Sequence, residues 1–240
     1  METAPVPARP DPAGSIERMF GRIARHYDLL NHTLSFGIDR WWRYRLARHV
    51  RPGQTGRVLD LAAGTLDVSL EIRRQHPGLR ILALDFCLPM LEYGVAKCRK
   101  KKATDIFPVA ADVRALPLPD ASVDCVAIAF GIRNITPRSA AWAEMLRVLT
   151  PGGRACVLEF GGGSSRIWQG LYSLYLRRLL PLIGRIVSGD KAYQYLADTI
   201  ETFPDAALLA HEMRVAGFAQ VFHLPLTSGI VCLHVAEKTS

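Results

Sequence analysis

The sequence lacks any paired-cysteine pattern. Its five cysteines are scattered along 240 residues, and no two of them form a Cys-x-x-Cys pair. This distribution predicts neither a disulfide framework nor a zinc site, so we expect no bound metal. Unpaired cysteines are typical of a reducing compartment, and we therefore expect a cytoplasmic protein.

The sequence also lacks a long uninterrupted hydrophobic run. The most apolar stretch, 167–187, is broken by Arg177, Arg178 and Pro181, so we do not expect it to cross a membrane. No basic segment followed by an apolar one opens the chain, and we expect no signal peptide. Hydrophobic residues still make up 49% of the chain, which is enough for a sizeable core.

Acidic residues are fewer than basic ones. The chain has 22 Asp and Glu against 30 Lys and Arg, for a net charge of +8. Such a balance can favour nucleic acid, anionic lipid or an acidic substrate, or serve solubility alone. No zinc finger, basic zipper or other nucleic-acid motif is present, so we expect no nucleic-acid partner. The densest basic run, from Lys97 to Lys102, predicts the solvated end of a helix, where cations suit the helix dipole.

The hydrophobic pattern divides the chain into a tail and one domain. Residues 1–14 are rich in Pro and Ala and predict a disordered tail, whereas 15–240 form a single domain that opens with helices over 15–51. A helical insertion is expected over 164–200. Strands are predicted over 57–61, 80–85, 106–111, 123–130 and 154–160, and helices over 67–75, 88–102 and 138–149.

The order of these elements predicts an α/β fold. Strands that alternate with helices favour a parallel sheet with helices on both faces. Two further extended runs, 220–226 and 230–238, are joined by a short loop and predict a closing hairpin. We therefore expect a mostly parallel seven-stranded sheet that ends in an antiparallel β-hairpin.

Small residues follow the first predicted strand, in the run Asp60-Leu61-Ala62-Ala63-Gly64-Thr65-Leu66-Asp67. Ligands of open α/β sheets bind at the carboxyl ends of the strands, and small residues let the backbone approach a ligand closely. The run is therefore a candidate binding loop. Because it contains one glycine only, an ordinary tight turn is the alternative.

Carboxylates follow the next two strands. Asp85 ends the second strand, where it can accept hydrogen bonds from vicinal ribose hydroxyls or cap the following helix. Asp112 follows the third strand, where it can accept a hydrogen bond from an adenine amino group or cap its own loop. Together with Asp60, these residues place three carboxylates at strand ends, which is a more specific pattern than any one of them.

The pattern distinguishes between two nucleoside cofactors. The pyrophosphate of NAD favours a glycine-rich loop at a helix N-terminus. S-adenosylmethionine has no phosphate and carries a positive sulfonium, so an acidic loop with less glycine suits it better. We therefore predict S-adenosylmethionine, and keep an NAD-dependent oxidoreductase as the alternative.

Several longer motifs extend over nearly the whole chain, from about Phe20 to Lys238. They are Ile23 to Asn31 (IARHYDLLN), Leu34 to Gly37 (LSFG), Arg40 to Trp42 (RWW), Ala111 to Pro117 (ADVRALP), Phe130 to Asn134 (FGIRN), Tyr193 to Leu196 (YQYL) and Gly229 to His234 (GIVCLH). In these motifs the chain resembles the menaquinone and ubiquinone biosynthesis C-methyltransferases. The Phe130 to Asn134 run is the most specific of them.

The resemblance implies a class I methyltransferase with a Rossmann-like fold. It implies methylation of a polyprenylated quinol ring, with demethylmenaquinol converted to menaquinol, and it leaves open a benzoquinol substrate and a homodimer. It also implies that Gly64, Thr65, Asp85, Asp112 and Val113 bind the cofactor and that Ala129 lines it through backbone.

The resemblance also suggests which residues take part in the reaction. Arg133 would lie near the reacting ring, where its guanidinium can stabilise a phenolate. Asp28 and Tyr27 are the candidates for a proton relay. Glu159, at the end of the fifth strand, would either line the pocket or pair with an arginine.

Two departures from the family pattern leave other functions open. Leu66 stands where the family has glycine, and leucine does not readily adopt a positive φ. Ala129 stands where the family often has serine. A methyltransferase-like scaffold with impaired turnover, or a methyltransferase for another small molecule, therefore remains an alternative. The stretch 167–187 is expected to be an apolar lid or an amphipathic helix that contacts the cytoplasmic face of a membrane.

Overall fold

The computed structural model describes residues 12–161, Tyr195 and 198–239. Its strands are β1 (Arg57–Leu61), β2 (Arg80–Asp85), β3 (Ile106–Ala110), β4 (Val123–Ala129), β5 (Leu149–Phe160), β6 (Gln220–Leu226) and β7 (Val231–Glu237). Its helices are α1 (Pro12–Leu34), α2 (Asp39–Ala47), α3 (Asp67–Gln75), α4 (Leu88–Lys100), α5 (Arg138–Val148) and α6 (Ala206–Ala216), with a 3₁₀ turn over Ile132–Asn134.

The strands form one seven-stranded sheet in the order β3-β2-β1-β4-β5-β7-β6. Strands β1 to β5 are parallel, whereas β7 pairs antiparallel with both β5 and β6. The predicted parallel sheet with an antiparallel closing hairpin is therefore confirmed.

Helices cover both faces of the sheet. Because side chains alternate along a strand, Val58 of β1 packs in one core cluster with Trp42 of α2, and Leu59 packs in the other with Trp142 of α5. Strand β4 is buried from Val123 to Ile128, which confirms the expectation that both of its faces are covered.

Local chemistry sets several element ends. Helix α6 begins after Asp205, whose carboxylate accepts a hydrogen bond from the backbone N–H of Leu208 at 2.8 Å. It ends at Gly217, whose φ of 114° suits glycine. The predicted bounds of β1, α3, β2 and β6 are confirmed, whereas α4 and α5 end slightly earlier than expected.

The fifth strand begins earlier than predicted. We expected Pro151-Gly152-Gly153 to precede a strand over 154–160, but β5 starts at Leu149, which pairs with Val123. A register shift between Val123 and Cys125 absorbs the extra residues, and the carbonyl of Gly153 accepts a hydrogen bond from the N–H of Lys238 at 2.9 Å. Tertiary pairing therefore extends the strand through residues that usually interrupt one.

The two terminal predictions are only partly covered by the structure. Helix α1 begins at Pro12, three residues before the predicted start of the domain, and the rest of the expected tail lies outside the described residues. Most of the predicted insertion over 164–200, including 167–187, also lies outside them. Within the described ranges, no helix is both long enough and apolar enough to cross a membrane.

Leu66 adopts a positive φ, which leucine was not expected to adopt readily. Its φ is 67°, and its side chain is fully buried in the core. A Cβ added to Gly94 of α4 would overlap Leu66 Cγ and would lie 2.9 Å from Leu66 Cδ1. The absence of a side chain at Gly94 therefore makes the space that Leu66 fills. This packing offsets a left-handed backbone cost of about 1–2 kcal/mol.

We expect the Gly94→Ala substitution to lower the free energy of unfolding by about 1–3 kcal/mol, because the new methyl overlaps Leu66. In a Leu66→Ala background the same substitution should cost clearly less, because the overlapping Leu66 atoms are then absent and only the Thr65 carbonyl carbon, 3.0 Å away, stays close. Urea unfolding of the two single variants and the double variant measures this coupling.

The matched control is Gly21→Ala on α1. A Cβ there would meet only Pro89 Cγ at 3.4 Å, which is ordinary contact. Gly21→Ala should show no coupling to Leu66→Ala. Equal costs of Gly94→Ala in both backgrounds would contradict the proposed packing.

Candidate functional site

The carboxyl ends of four strands meet at one edge of the sheet. Leu61 of β1 lies beside Leu84 of β2 and beside Ile128 of β4, and Asp85 lies beside Ala110 of β3. The loops after these strands therefore adjoin one another, as the sequence predicted. Together with α1 they enclose a pocket of about 320 Å³.

Six predicted site residues line this pocket: Tyr27, Gly64, Asp85, Asp112, Val113 and Ala129. Phe20 of α1, Met90 of α4 and Phe130 after β4 add apolar walls. The ring of Phe20 packs edge-on against that of Tyr27, with a centroid distance of 6.0 Å. The pocket therefore combines carboxylates with an aromatic and thioether surface.

Asp85 joins two of the loops. Its Oδ2 accepts a hydrogen bond from the N–H of Gly64 at 2.8 Å, and its Oδ1 accepts one from the N–H of Cys87 at 2.8 Å. Burial raises the pKa of Asp85, and these backbone hydrogen bonds oppose the rise. The carboxylate therefore fixes the loops after β1 and β2 relative to each other.

Asp112 lies on a more exposed part of the lining. Its carboxylate pairs with the guanidinium of Arg114, with Nη2 and Oδ2 2.6 Å apart. Hydrogen bonds from Arg114 lower the pKa of Asp112, so the carboxylate stays charged. Asp85 and Asp112 therefore present two carboxylates to one cavity.

Asp60 is not brought to the pocket surface. It is almost fully buried, and its Oδ2 accepts a hydrogen bond from the hydroxyl of Ser69 on α3 at 2.5 Å. Its Oδ1 has no hydrogen-bond partner among the described residues. Burial raises the pKa of Asp60 to about 7. The hydrogen bond to Ser69 shows that Asp60 lies beneath the binding loop, on the face of the sheet that α3 covers.

Thr65 and Asp28 belong to a polar cluster that attaches α1 to the binding loop. The hydroxyl of Thr65 donates to Asp28 Oδ1 at 2.5 Å, and Lys97 Nζ lies 2.7 Å from Asp28 Oδ2. Lys97 also pairs with Asp67 at the start of α3. The cluster therefore joins α1, the loop after β1, and α4.

The prediction that the whole basic run is solvated was wrong for one of its members. Lys97 has only 19% of its side chain exposed, because its ammonium group lies between Asp28 and Asp67. Arg99 and the residues 100–102 are exposed, as expected.

Arg133 lies behind the pocket wall rather than in it. Its Nη1 donates to the carbonyl of Phe130 at 2.6 Å and to Glu159 Oε1 at 2.8 Å. Both side chains are buried, with 5% of Arg133 and 0% of Glu159 exposed. Burial raises the pKa of Glu159 despite the neighbouring guanidinium. Glu159 therefore pairs with an arginine, which was one of its two predicted roles.

One donor of Arg133 remains available. Its Nε is buried and has no hydrogen-bond partner among the residues that the structure describes. An unpaired buried donor is costly unless something accepts from it. The guanidinium, although paired with Glu159, therefore retains one N–H that a further acceptor could occupy.

Sequence reasoning missed an aromatic wall and one amide. The ring of Phe130 packs at a tilt against those of Trp42 and Phe160, with centroid distances of 5.9 and 5.2 Å. Asn134 lines the pocket, and its Oδ1 accepts a hydrogen bond from the hydroxyl of Tyr195 at 3.0 Å. Phe130, Asn134 and Tyr195 belong to motifs that carry the family resemblance. Of the residues in these motifs, only Arg133 was predicted to have a role in the site.

No group of three or more His, Cys, Asp or Glu side chains in the described part of the chain is arranged to hold a metal ion. Cys87, which lines the pocket, has its pKa raised to about 11 by burial, so its thiol stays protonated. The pocket and the residues behind it thus offer carboxylates, aromatic rings and a buried guanidinium.

Comparison with known proteins agrees with this geometry. A profile of the ubiE/COQ5 methyltransferase family matches residues 11–238. The ubiquinone/menaquinone biosynthesis C-methyltransferase UbiE of Geobacter sulfurreducens is 44% identical over 93% of this chain and 88% of its own length. The demethylmenaquinone methyltransferase of Deinococcus radiodurans is 40% identical over 98% of this chain and 97% of its own.

A solved structure shows the same fold at low identity. Phosphoethanolamine N-methyltransferase 2 of Haemonchus contortus, in complex with S-adenosyl-L-methionine, superposes with a TM-score of 0.62 at 13% identity. The match covers 82% of this chain and 52% of that one. The predicted class I methyltransferase architecture is therefore confirmed. On the profile match and the identities of 40–44%, the chain belongs to the ubiE/COQ5 methyltransferase family.

Proposed function

We propose that this protein transfers the methyl group of S-adenosylmethionine to a ring carbon of a polyprenylated quinol, and that the substrate is demethylmenaquinol. The observation that carries the proposal is the pocket at the carboxyl ends of β1 to β4, where Gly64, Asp85 and Asp112 meet. The names of the relatives from Geobacter sulfurreducens and Deinococcus radiodurans support the quinol substrate.

The pocket suits the adenosyl part of the cofactor. Its volume of about 320 Å³ is within the range of small-molecule sites. Each oxygen of Asp85 accepts one backbone N–H and keeps a second lone pair, so both can still accept ribose hydroxyls. Asp112, Val113, Phe20 and Met90 line the same pocket. The first two are proposed to contact the adenine, and the last two to pack against it.

S-adenosylmethionine supplies an electrophilic methyl group on a sulfonium centre when bound. The protein has to make the ring carbon nucleophilic, which requires loss of a quinol hydroxyl proton and stabilisation of the phenolate. It must also align the carbon with the methyl group and exclude water.

Arg133 is proposed to stabilise the phenolate. Its charge lies in a buried setting, where electrostatic interactions are stronger than in water. The neighbouring charge of Arg133 favours the anionic form of the Tyr195 phenol, although burial raises the pKa of Tyr195 overall. A quinol oxygen near the same guanidinium would be favoured as an anion for the same reason. Arginine itself stays protonated, so it does not act as the base.

The structure favours different roles for the two relay candidates. Tyr27 lines the pocket, and its hydroxyl can contact the substrate ring or a proton-accepting water. Asp28 is already engaged by Lys97 and Thr65, which favours a role in holding α1 against the binding loop. We therefore propose Tyr27 as a substrate contact and Asp28 as a positioning residue.

The alternative functions are less well supported. The impaired-scaffold hypothesis depended on Leu66 and Ala129, but the side chain of Leu66 is buried in the core instead of obstructing the pocket. An NAD-dependent oxidoreductase is disfavoured by membership of a methyltransferase family.

The direct test is methyl transfer by the purified full-length chain. With S-adenosylmethionine present, we expect demethylmenaquinol to gain one methyl group, measured by mass spectrometry. The benzoquinol analogue with the same tail tests ring selectivity. Cofactor binding without methylation of either quinol would contradict the proposed function and support the scaffold alternative.

Asp85→Asn should weaken cofactor binding by about 1.5–3 kcal/mol, because one charge-assisted acceptor is lost. Isothermal calorimetry with S-adenosylmethionine measures the change. The matched control is Asp105→Asn, whose carboxylate pairs with Arg73 and does not line the pocket. If Asp85→Asn binds the cofactor as tightly as the control does, the cofactor has been placed wrongly.

The double substitution Arg133→Gln with Glu159→Gln removes both buried charges together. Arg133→Gln alone would leave the Glu159 carboxylate buried without a partner, which would lower the free energy of unfolding by about 3–5 kcal/mol. The double substitution avoids this loss. We expect kcat to fall by about 10²–10³-fold, as for the loss of an electrostatic stabiliser, with the affinity for S-adenosylmethionine unchanged. Glu159→Gln alone keeps the guanidinium and should retain more turnover. Wild-type kcat in the double variant would exclude a role for Arg133 in the reaction.

A further inference from the structure

The turn between α1 and α2 presents hydrophobic side chains to solvent. Phe36 is 81% exposed, the highest value among the large hydrophobic side chains of the described residues. Ile38 and Trp41 follow it at 40% and 43%, and Leu29 on α1 is 63% exposed. These four residues, here called the turn patch, lie near the end of α1, in the turn and at the start of α2, and they are exposed instead of contributing to the core.

The exposure of Phe36 results from a braced backbone. Asp39 is buried, and its carboxylate accepts hydrogen bonds from Ser35 at 2.8 Å and from Arg43, and contacts His32 Nδ1 at 2.7 Å. The N–H of Gly37 donates to the carbonyl of His32 at 2.7 Å. A buried polar network therefore fixes the backbone of the turn, and the ring of Phe36 is left exposed to solvent.

The charges around the turn patch have one sign. Between residues 29 and 48 the only acidic residue is Asp39, which is buried and paired with Arg43. Arg40 and Arg48 are exposed, and the guanidinium of Arg45 lies 5.4 Å from the ring centroid of Trp41. Apolar side chains flanked by arginine suit a lipid surface, because tryptophan and arginine both favour the headgroup region.

The turn patch belongs to the same two helices that reach the pocket. Helix α1 contributes Phe20 and Tyr27 to the pocket wall, and about 10 Å of helix separates Tyr27 from its end at Leu34. On α2, Trp42 packs against the pocket-lining Phe130. A partner that bound the turn patch would therefore lie close to the pocket.

We propose that the turn patch docks the protein on an anionic lipid bilayer, with Phe36, Ile38 and Trp41 entering the headgroup boundary and Arg40, Arg45 and Arg48 contacting lipid phosphates. The proposal rests on the proposed function, because a polyprenylated quinol resides in a membrane. The lack of exposed acidic residues between positions 29 and 48 favours a lipid partner over a second copy of this basic chain.

Sedimentation of the full-length protein with vesicles tests the proposal without any quinol. We expect binding to vesicles that contain phosphatidylglycerol and much weaker binding to pure phosphatidylcholine, with loss at high salt. Phe36→Asn should weaken vesicle binding by about tenfold, since burial of the ring in lipid is lost. Asparagine tolerates the φ of 51° at this position, so the fold is kept.

Two matched variants separate lipid docking from a general loss of hydrophobic surface. Phe222→Asn removes another exposed phenylalanine, 44% exposed on β6, and should leave vesicle binding unchanged. Arg45→Gln with Arg48→Gln should remove the preference for anionic vesicles. Equal binding by the Phe36→Asn and Phe222→Asn variants, or no vesicle binding by the wild-type chain, would overturn the proposal.

Turnover and self-association distinguish the remaining outcomes. With a short-tailed, water-soluble quinol, Phe36→Asn should keep wild-type kcat, whereas turnover of the long-tailed quinol in vesicles should fall. No turnover by any variant, with vesicle binding intact, would refute the proposed function alone. A dimer in analytical ultracentrifugation that Phe36→Asn abolishes would assign the turn patch to a second copy and overturn the lipid proposal.

Discussion

The hydrogen bonds that Asp85 accepts from Gly64 and Cys87 hold the pocket together. The two N–H groups belong to the loops after β1 and β2, which parallel pairing has already brought to the same edge. A buried carboxylate without such donors would be expensive, so the loops and the acid stabilise each other. The same carboxylate lines the cavity, so its remaining lone pairs are available to a ligand there.

Two further charge networks complete the surroundings of the pocket. Lys97, between Asp28 and Asp67, attaches α1 to the loop after β1, so that Phe20 and Tyr27 can form a wall. Arg133 and Glu159 lie behind the loop after β4 and are almost completely buried. The first network positions a helix, whereas the second holds one guanidinium beside a carboxylate in a buried position. The roles proposed in cofactor binding and in phenolate stabilisation therefore fall to different parts of the chain.

The sequence was most informative where local chemistry decides the structure. Strand alternation and turn residues were sufficient to place Asp85 and Asp112 at one sheet edge, and both line the pocket. The same reasoning placed Asp60 at a strand end, but its side chain lies on the face that α3 covers, where the hydroxyl of Ser69 donates a hydrogen bond to it. Which face of a strand meets which helix is decided by tertiary packing, and a strand-end rule does not contain that information.

The remaining differences also come from partners distant in sequence. Lys97 looked like part of a solvated run because its partner Asp28 precedes it by 69 residues. Strand β5 continues through Pro151 because Leu149 pairs with Val123 and the backbone of Gly153 pairs with Lys238. In both cases a long-range contact overrides a local preference.

The shared volume of Leu66 and Gly94 has a consequence for sequence variation in this family. A relative that has glycine at the position of Leu66 lacks the side chain that a Cβ on α4 would overlap, so only the backbone before that glycine would crowd a side chain there. A relative with leucine there has to keep the helix position bare. The two positions should therefore covary. Changing one residue at a time would pass through a protein in which either both side chains compete for the same space or neither one fills it.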